Sequence, residues 1–181
     1  YNVPLEVLSS LEEKPGTVIK EVAKVEKMLI KGVAKDDHVA LVSIIGLQDV
    51  PGIAFRIFSA LAARKINVDI ILQSVGRDNT KDISFTISDS QAEEAMVVME
   101  ELKRLLKAHE IVCDTNISKV SVVGAGMESN PGVAATMFEA LSDASINIQM
   151  IATSEIKISV LIDRADSVKA LRAVHDAFLS P

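Results

Sequence analysis

Asp49, Pro51 and Gly52 stand directly before a segment patterned as a helix, with Ala54, Ile57, Phe58 and Leu61 at i, i+3, i+4 and i+7. Proline suits a first helical turn because its missing N–H would have no intrahelical partner there. Glycine lets the backbone turn sharply and a ligand come close. The free N–H groups of such a helix start favour an anion, including the carboxylate of an amino acid. Asp49, beside them, is placed to meet an ammonium group. The plainer alternative is a helix-start turn that binds nothing.

The arrangement occurs twice. Residues 51–74 (PGIAFRIFSALAARKINVDIILQS) and 131–154 (PGVAATMFEALSDASINIQMIATS) align at a constant offset of 80. Pro51/Pro131, Gly52/Gly132, Phe58/Phe138, Leu61/Leu141, Asn67/Asn147 and Ser74/Ser154 all match. An internal repeat of this length implies two copies of one small domain. Asn67 and Asn147 open the strand after each helix, either as turn residues in a left-handed conformation or as polar groups that fix a ligand. The copies also differ. Asp69 aligns with Gln149, and Glu155 follows Ser154 where Val75 follows Ser74. A pocket joining Asp69 to Glu155 is acidic and suits a cationic side chain. One built from Asp49, Gln73 and Asn147 is less charged and suits a small hydroxyl-bearing or neutral ligand. Solvated charges are the alternative for Asp69 and Glu155.

Catalytic patterns are missing. There is no P-loop, and Gly124-Ala125-Gly126 lacks the third glycine of a dinucleotide fingerprint. No Ser/His/Asp or Cys/His set stands out. His38, His109 and His175 have no ligand spacing, so no metal is expected. Cys113, the one cysteine, excludes an intrachain disulfide and fits a reducing cytoplasm; it reads as a small buried apolar side chain. The net charge of −6 and 3% aromatic content weigh against nucleic acid. No apolar run approaches the roughly 20 residues of a membrane span. Tyr1 in place of a methionine suggests a start within a longer chain.

The elements that must position these residues follow from periodicity. Residues 1–20, punctuated by Pro4, Pro15 and Gly16, read as irregular. Strands are expected at 28–34, 39–46, 66–74, 82–88 and 110–114, and again at 119–124, 146–153 and 156–162. Gly76 to Asn79 reads as a turn. Ser90 and Glu93 form a capping-box pattern ahead of a helical face of Ala95, Val98, Met99, Leu102, Leu105 and Leu106. Ala134, Met137, Phe138 and Leu141 repeat the first helix face, and Val168, Leu171, Val174, His175 and Phe178 mark the last. The order βαββαβ describes an α+β, ferredoxin-like sandwich of four antiparallel strands with both helices on one face. The second copy has no closing strand after its last helix. The strand at 28–34 would fill that place and interleave the two domains.

The strings DVPGIAFRIFSALAARKINVDIILQS with DISFTI, and VSVVGAGMESNPGVAATMFEALSDASINIQMIATSEIKISVLI, resemble the tandem ACT domains of aspartokinase. The resemblance runs from about residue 5 to the end, and VLSSLEEKPGTVI resembles the junction after the kinase domain. It implies the regulatory part of that enzyme, as a separate β subunit or a C-terminal portion. Residues 1–26 would be a linker or tail of the kinase region, residues 39–114 the first ACT domain, and residues 27–38 with 115–181 the second. The enzyme phosphorylates aspartate at the entry to lysine, threonine and methionine synthesis, and its ATP and Mg belong to the kinase domain or α subunit. Two chains would pair through their ACT domains into extended sheets, with lysine and/or threonine at the interfaces giving feedback inhibition. A threonine-type site would comprise Asp49, Val50, Pro51, Gly52, Ile53, Ala54 and Gln73, with Asn147 and Ile148 of the other chain. A lysine-type site would comprise Asn67, Val68 and Asp69 with Val133, Ala134, Ser154 and Glu155. Ala134 departs from relatives that carry a hydroxyl there, which removes a side-chain hydrogen bond but spares a backbone contact. A purely structural dimerisation module is the alternative.

Overall fold

A computed structural model describes residues 5–7, 17–19, 30–75, 80–124 and 132–179. Within the segment read as irregular, β1 (Leu5–Val7) pairs antiparallel with β2 (Thr17–Ile19). Strands of three residues are too short to display a period, which is why the sequence pattern misses them. The turn expected from Gly76 to Asn79 lies outside the described residues.

The first repeat unit runs β4 (Val39–Gln48), α1 (Ile53–Ala63), β5 (Ile71–Val75), β6 (Thr80–Ser88), α2 (Ala92–Leu106) and β7 (Glu110–Asp114). The second runs β8 (Ile117–Gly124), α3 (Val133–Asp143), β9 (Met150–Thr153), β10 (Lys157–Asp163) and α4 (Ser167–Leu179). The strand that precedes both, β3 (Ile30–Asp36), pairs antiparallel with β8, placing Val33 opposite Val122 and Ala34 opposite Ser121. The two four-stranded sheets therefore have equivalent orders, β5-β6-β4-β7 and β9-β10-β8-β3. The early strand takes the closing position that the second unit lacks, so the ferredoxin-like units are interleaved.

Each unit has its own core between sheet and helices. In the first, Val42, Ile44, Ile83 and Phe85 meet Ile57, Leu61 and Met99, and the Phe58 ring stands edge-on to Phe85 at 5.5 Å. In the second, Val120, Val122 and Val160 meet Met137, Leu141 and Val174. A third cluster joins the units: Val39, Ile117, Met150 and Leu161, with Leu41 and Ile70 against them. Val160 and Leu161 belong to different clusters, as alternation along a strand requires. Strand β10 is thus covered on both faces and reads as the run ISVLI, apolar but for the buried Ser159.

The chain crosses between sheets at residues 36–39 and again at 114–117. Arg164 ties both crossings. Its Nε donates to the Ile117 carbonyl at 3.3 Å and its terminal nitrogen to the Asp37 carbonyl at 2.5 Å. The same nitrogen lies 3.5 Å from Asp89 of the first unit, and the Arg164 backbone N–H donates to Asn116. Asp37 also accepts from Lys35 and from Ser118. These donors hold its carboxyl below the usual range, the Lys35 bond most of all.

Several helix expectations shift phase. Ser90 does not cap α2; a short 3-10 turn at Asp89–Gln91 precedes the helix, and the Ser90 hydroxyl bonds Ser88 instead. Leu105 is exposed while Leu106 is buried, since neighbours about 100° apart cannot share one narrow face. Ala54 is exposed, and Ile53 takes its place on the buried face of α1. On α4 the buried positions are Ser167, Ala170 and Val174, leaving Val168 and His175 outside. Ser167 turns inward beside Asp37, whose carboxyl it helps to hold below the usual range.

Candidate functional site

The two repeated helices start alike. Gly52 caps α1 at φ 88°, ψ −4°, and Gly132 caps α3 at φ 108°, ψ −20°. Both lie in the left-handed region that a side chain disfavours. Neither helix has a side-chain N-cap or an acidic residue in its first turn. Among the described residues, apart from each glycine's chain neighbours, no atom lies within 4 Å of where a Cβ on Gly52 or Gly132 would stand. The outward N–H groups and dipole of each helix start favour an anion. Asp49, three residues before Gly52, is ion-paired through Oδ1 with Lys81 on β6 at 2.6 Å.

The left-handed residues after these helices are Lys65 (φ 57°) and Ser145 (φ 53°), not Asn67 and Asn147. The turn role proposed for the asparagines thus falls two positions earlier, which leaves their amides for other work. Asn67 lines a polar cavity of about 160 Å³ with Asp36, His38, Asp69, Gln91 and Lys119. Asn147 and Ile148 line an open cleft of about 430 Å³ with Phe138, Ser142, Ser145 and Ile146.

Asp69 sits in the seam between the units. Backbone bonds Asp69 N–H to Thr86 and Thr86 N–H to Ile70 fix it at the mouth of β5, and the buried Thr86 hydroxyl accepts from the Ile70 N–H. Lys119 of β8 donates to its Oδ2 at 2.6 Å, and Lys157 of β10 lies 3.9 Å from its Oδ1. The Lys119 hydrogen bond is the main reason its carboxyl titrates below the ordinary range; burial opposes the shift, and the Lys119 and Lys157 charges reinforce it. Beyond Asp69 a second cavity, about 240 Å³, is lined by Ile70, Ile71, Thr153, Ser154, Lys157 and Ser159. Among the described residues no group of three or more His, Cys, Asp or Glu could hold a metal.

The sequence model of the ACT domain matches this chain twice, over residues 42–102 and 120–178. It is similar along its length to the regulatory subunit of aspartate kinase from Thermus thermophilus, solved in a ligand-free form: 42% identity, TM-score 0.79, covering 83% of this chain and 99% of that one. The chain belongs to the ACT-domain family of aspartokinase regulatory regions. A structure of aspartokinase alpha and beta subunits is similar at 41% identity and TM-score 0.77, covering 82% of this chain and 98% of that one. Aspartate kinase of Pseudomonas putida is 48% identical over 180 residues, 98% of this chain. The chain spans 44% of that relative's length and corresponds to its ACT regulatory part.

Within one chain the ACT pair brings only some of the candidate residues together. Asn67 and Asp69 share one cavity, and Asp69 and Ser154 share the other. Glu155 lies in the exposed β9–β10 turn, which Ser154 closes by accepting from the Lys157 N–H, and it lines neither cavity. Val68 packs on the first ACT core, and Val133 and Ala134 on the second. Ile53 is buried in the first core, with Val50, Pro51, Gly52 and Ala54 exposed around it. Gln73 lies exposed on the edge strand β5. Two residues absent from the sequence reading, Lys81 and Lys119, engage the two acids singled out there. For Lys119 a faint signal exists, a lysine in the otherwise apolar or small stretch Ile117-Ser118-Lys119-Val120; Lys81, between Thr80 and Asp82, has none. Cys113 is half-buried against the first core, and burial, with the Asp114 charge, pushes its thiol pKa up, which disfavours the thiolate.

Proposed function

We propose that this ACT pair senses lysine and/or threonine and conveys feedback inhibition to an aspartokinase catalytic part, as a separate subunit or a fused domain. The observation that carries this reading is the polar seam at Asp69, where two cavities open between the domains of a chain in this family. In support, the helix start at Gly52 is uncapped and open beside Asp49, a layout suited to an α-carboxylate and an α-ammonium together. The threonine-type site would use Asp49 to Ala54 and Gln73, completed by Asn147 and Ile148 of a second copy. The lysine-type site would use Asn67, Val68 and Asp69 with Val133, Ala134, Ser154 and Glu155. Pairing between chains would run through the outer strands β5 and β9, both at sheet edges, where Ile71, Leu72 and Ile151 are exposed.

An effector that bridges two chains shifts the enzyme only through its different affinity for the two arrangements. Contacts completed in one dimer arrangement alone supply that difference. Aspartate phosphorylation, with its ATP and Mg, belongs to the catalytic part. In the complete enzyme, lysine or threonine should lower the rate of aspartate phosphorylation, and removal of this region should abolish that response. A rate unchanged by both amino acids, alone and together, would leave the region as a dimerisation module.

A further inference from the structure

The Asp49 and Asp69 sites differ in how far the chain itself already satisfies the acid. Among the described residues Asp49 is met on one oxygen, by Lys81, and 59% of its side chain is exposed. Asp69 is approached on both oxygens, by Lys119 at 2.6 Å and Lys157 at 3.9 Å. Lys119 is itself well enclosed, with 16% of its side chain exposed, and lies 3.5 Å from Asp36 on its other side. Its stem runs along a strand whose neighbours Ser118 and Val120 are buried, so the ammonium is delivered to a set position in the wall of the smaller cavity. A basic amino acid entering that cavity would bring a further ammonium to a carboxylate already bracketed by two, and like charges at such range repel.

We propose that Lys119 is the specificity-determining residue of the Asp69 site: its ammonium holds the position that the side-chain ammonium of a lysine-like effector would take. The inference rests on the amino-acid-sensing reading above. The site then admits a basic effector only when the effector displaces Lys119 toward Asp36 or solvent. Among the described residues no ammonium stands on the second oxygen of Asp49, and so the discrimination is confined to the Asp69 site. Lys119 acts as a built-in competitor that sets the concentration at which lysine is felt.

Lys119→Met keeps the apolar stem and removes the charge. Calorimetric titration of the chain and of this variant with lysine and with threonine reads the effect. The variant should bind lysine more tightly by on the order of tenfold, the scale of one charge-assisted hydrogen bond released to the ligand. Its threonine affinity should not change, and adding Asp69→Asn should cancel the lysine gain. Lys119→Arg retains the charge and should show no gain; a gain equal to that of Lys119→Met would mean that packing is at work and would overturn the inference. Threonine binding to both proteins with no lysine gain in Lys119→Met overturns the inference and leaves the sensor reading standing. Absence of binding by either amino acid to either protein overturns both. If Lys119→Met fails to fold by its melting profile, Lys119→Gln carries the same comparison.

Discussion

Lys119 of the second ACT domain donates to Asp69 of the first at 2.6 Å, across a separation of 50 residues in sequence. The acid that makes the two repeat copies unequal, aspartate where the other copy has Gln149, is thereby also a link between the domains. Asp69→Ala should weaken lysine binding more than threonine binding, because in the proposed division only the lysine-type site uses this carboxylate. Calorimetry on the variant with each amino acid checks this, and equal losses for both would contradict the division into two sites.

The same ion pairs bear on acid stability. Asp69 and Asp37 are both held below the ordinary carboxylate pKa by lysine donors, Lys119 and Lys35 respectively. A carboxyl with a depressed folded-state pKa contributes stability above its unfolded pKa, about 4, and loses it as the pH falls through the folded value. The melting temperature should therefore hold from neutrality down to about pH 4 and fall below it as these carboxyls protonate. Asp37→Asn should lower the melting temperature at neutral pH and flatten the fall in acid; a parallel acid profile would contradict the assignment.

Arg164 binds the Asp37 carbonyl of one crossing and the Ile117 carbonyl of the other, and faces Asp89. Arg164→Ala removes the donors and leaves those carbonyls without them. The expected loss is about 2 kcal/mol, the range for hydrogen bonds from a charged group. Urea denaturation measures it. Arg164→Lys should recover little, since an ammonium lacks the planar fork that reaches several acceptors at once.

Gly52 and Gly132 sit at positive φ, and among the described residues nothing beyond their chain neighbours would meet an added Cβ. Alanine at either position should cost about 1–2 kcal/mol in stability, from backbone strain rather than from a clash. Gly52→Ala should also weaken threonine binding, by placing a methyl group where the ligand would approach the helix start. Gly132→Ala provides the comparison, because the threonine-type site does not include Gly132.

Much of the architecture was legible because it repeats. Matching residues at an offset of 80 outlined two units, and β3 takes beside β8 the place that β7 takes beside β4. Asp49 and Asp69 could be nominated because each stands beside a repeated helix or strand start. Their partners could not, since Lys81 and Lys119 come from strands that only the tertiary fold brings near. Helix phase failed where a polar residue was buried. Ser167 turns inward to Asp37 and rotates Val168 to the surface, against the apolar pattern. Ser90 matched a capping box that the 3-10 turn before α2 displaced.

Whether this chain binds amino acids is read by calorimetric titration with threonine, with lysine and with both together. Saturable heat with at least one of them is expected, and threonine binding that Gly52→Ala weakens. Flat titrations in all three cases would contradict it and leave the ACT pair as an assembly module.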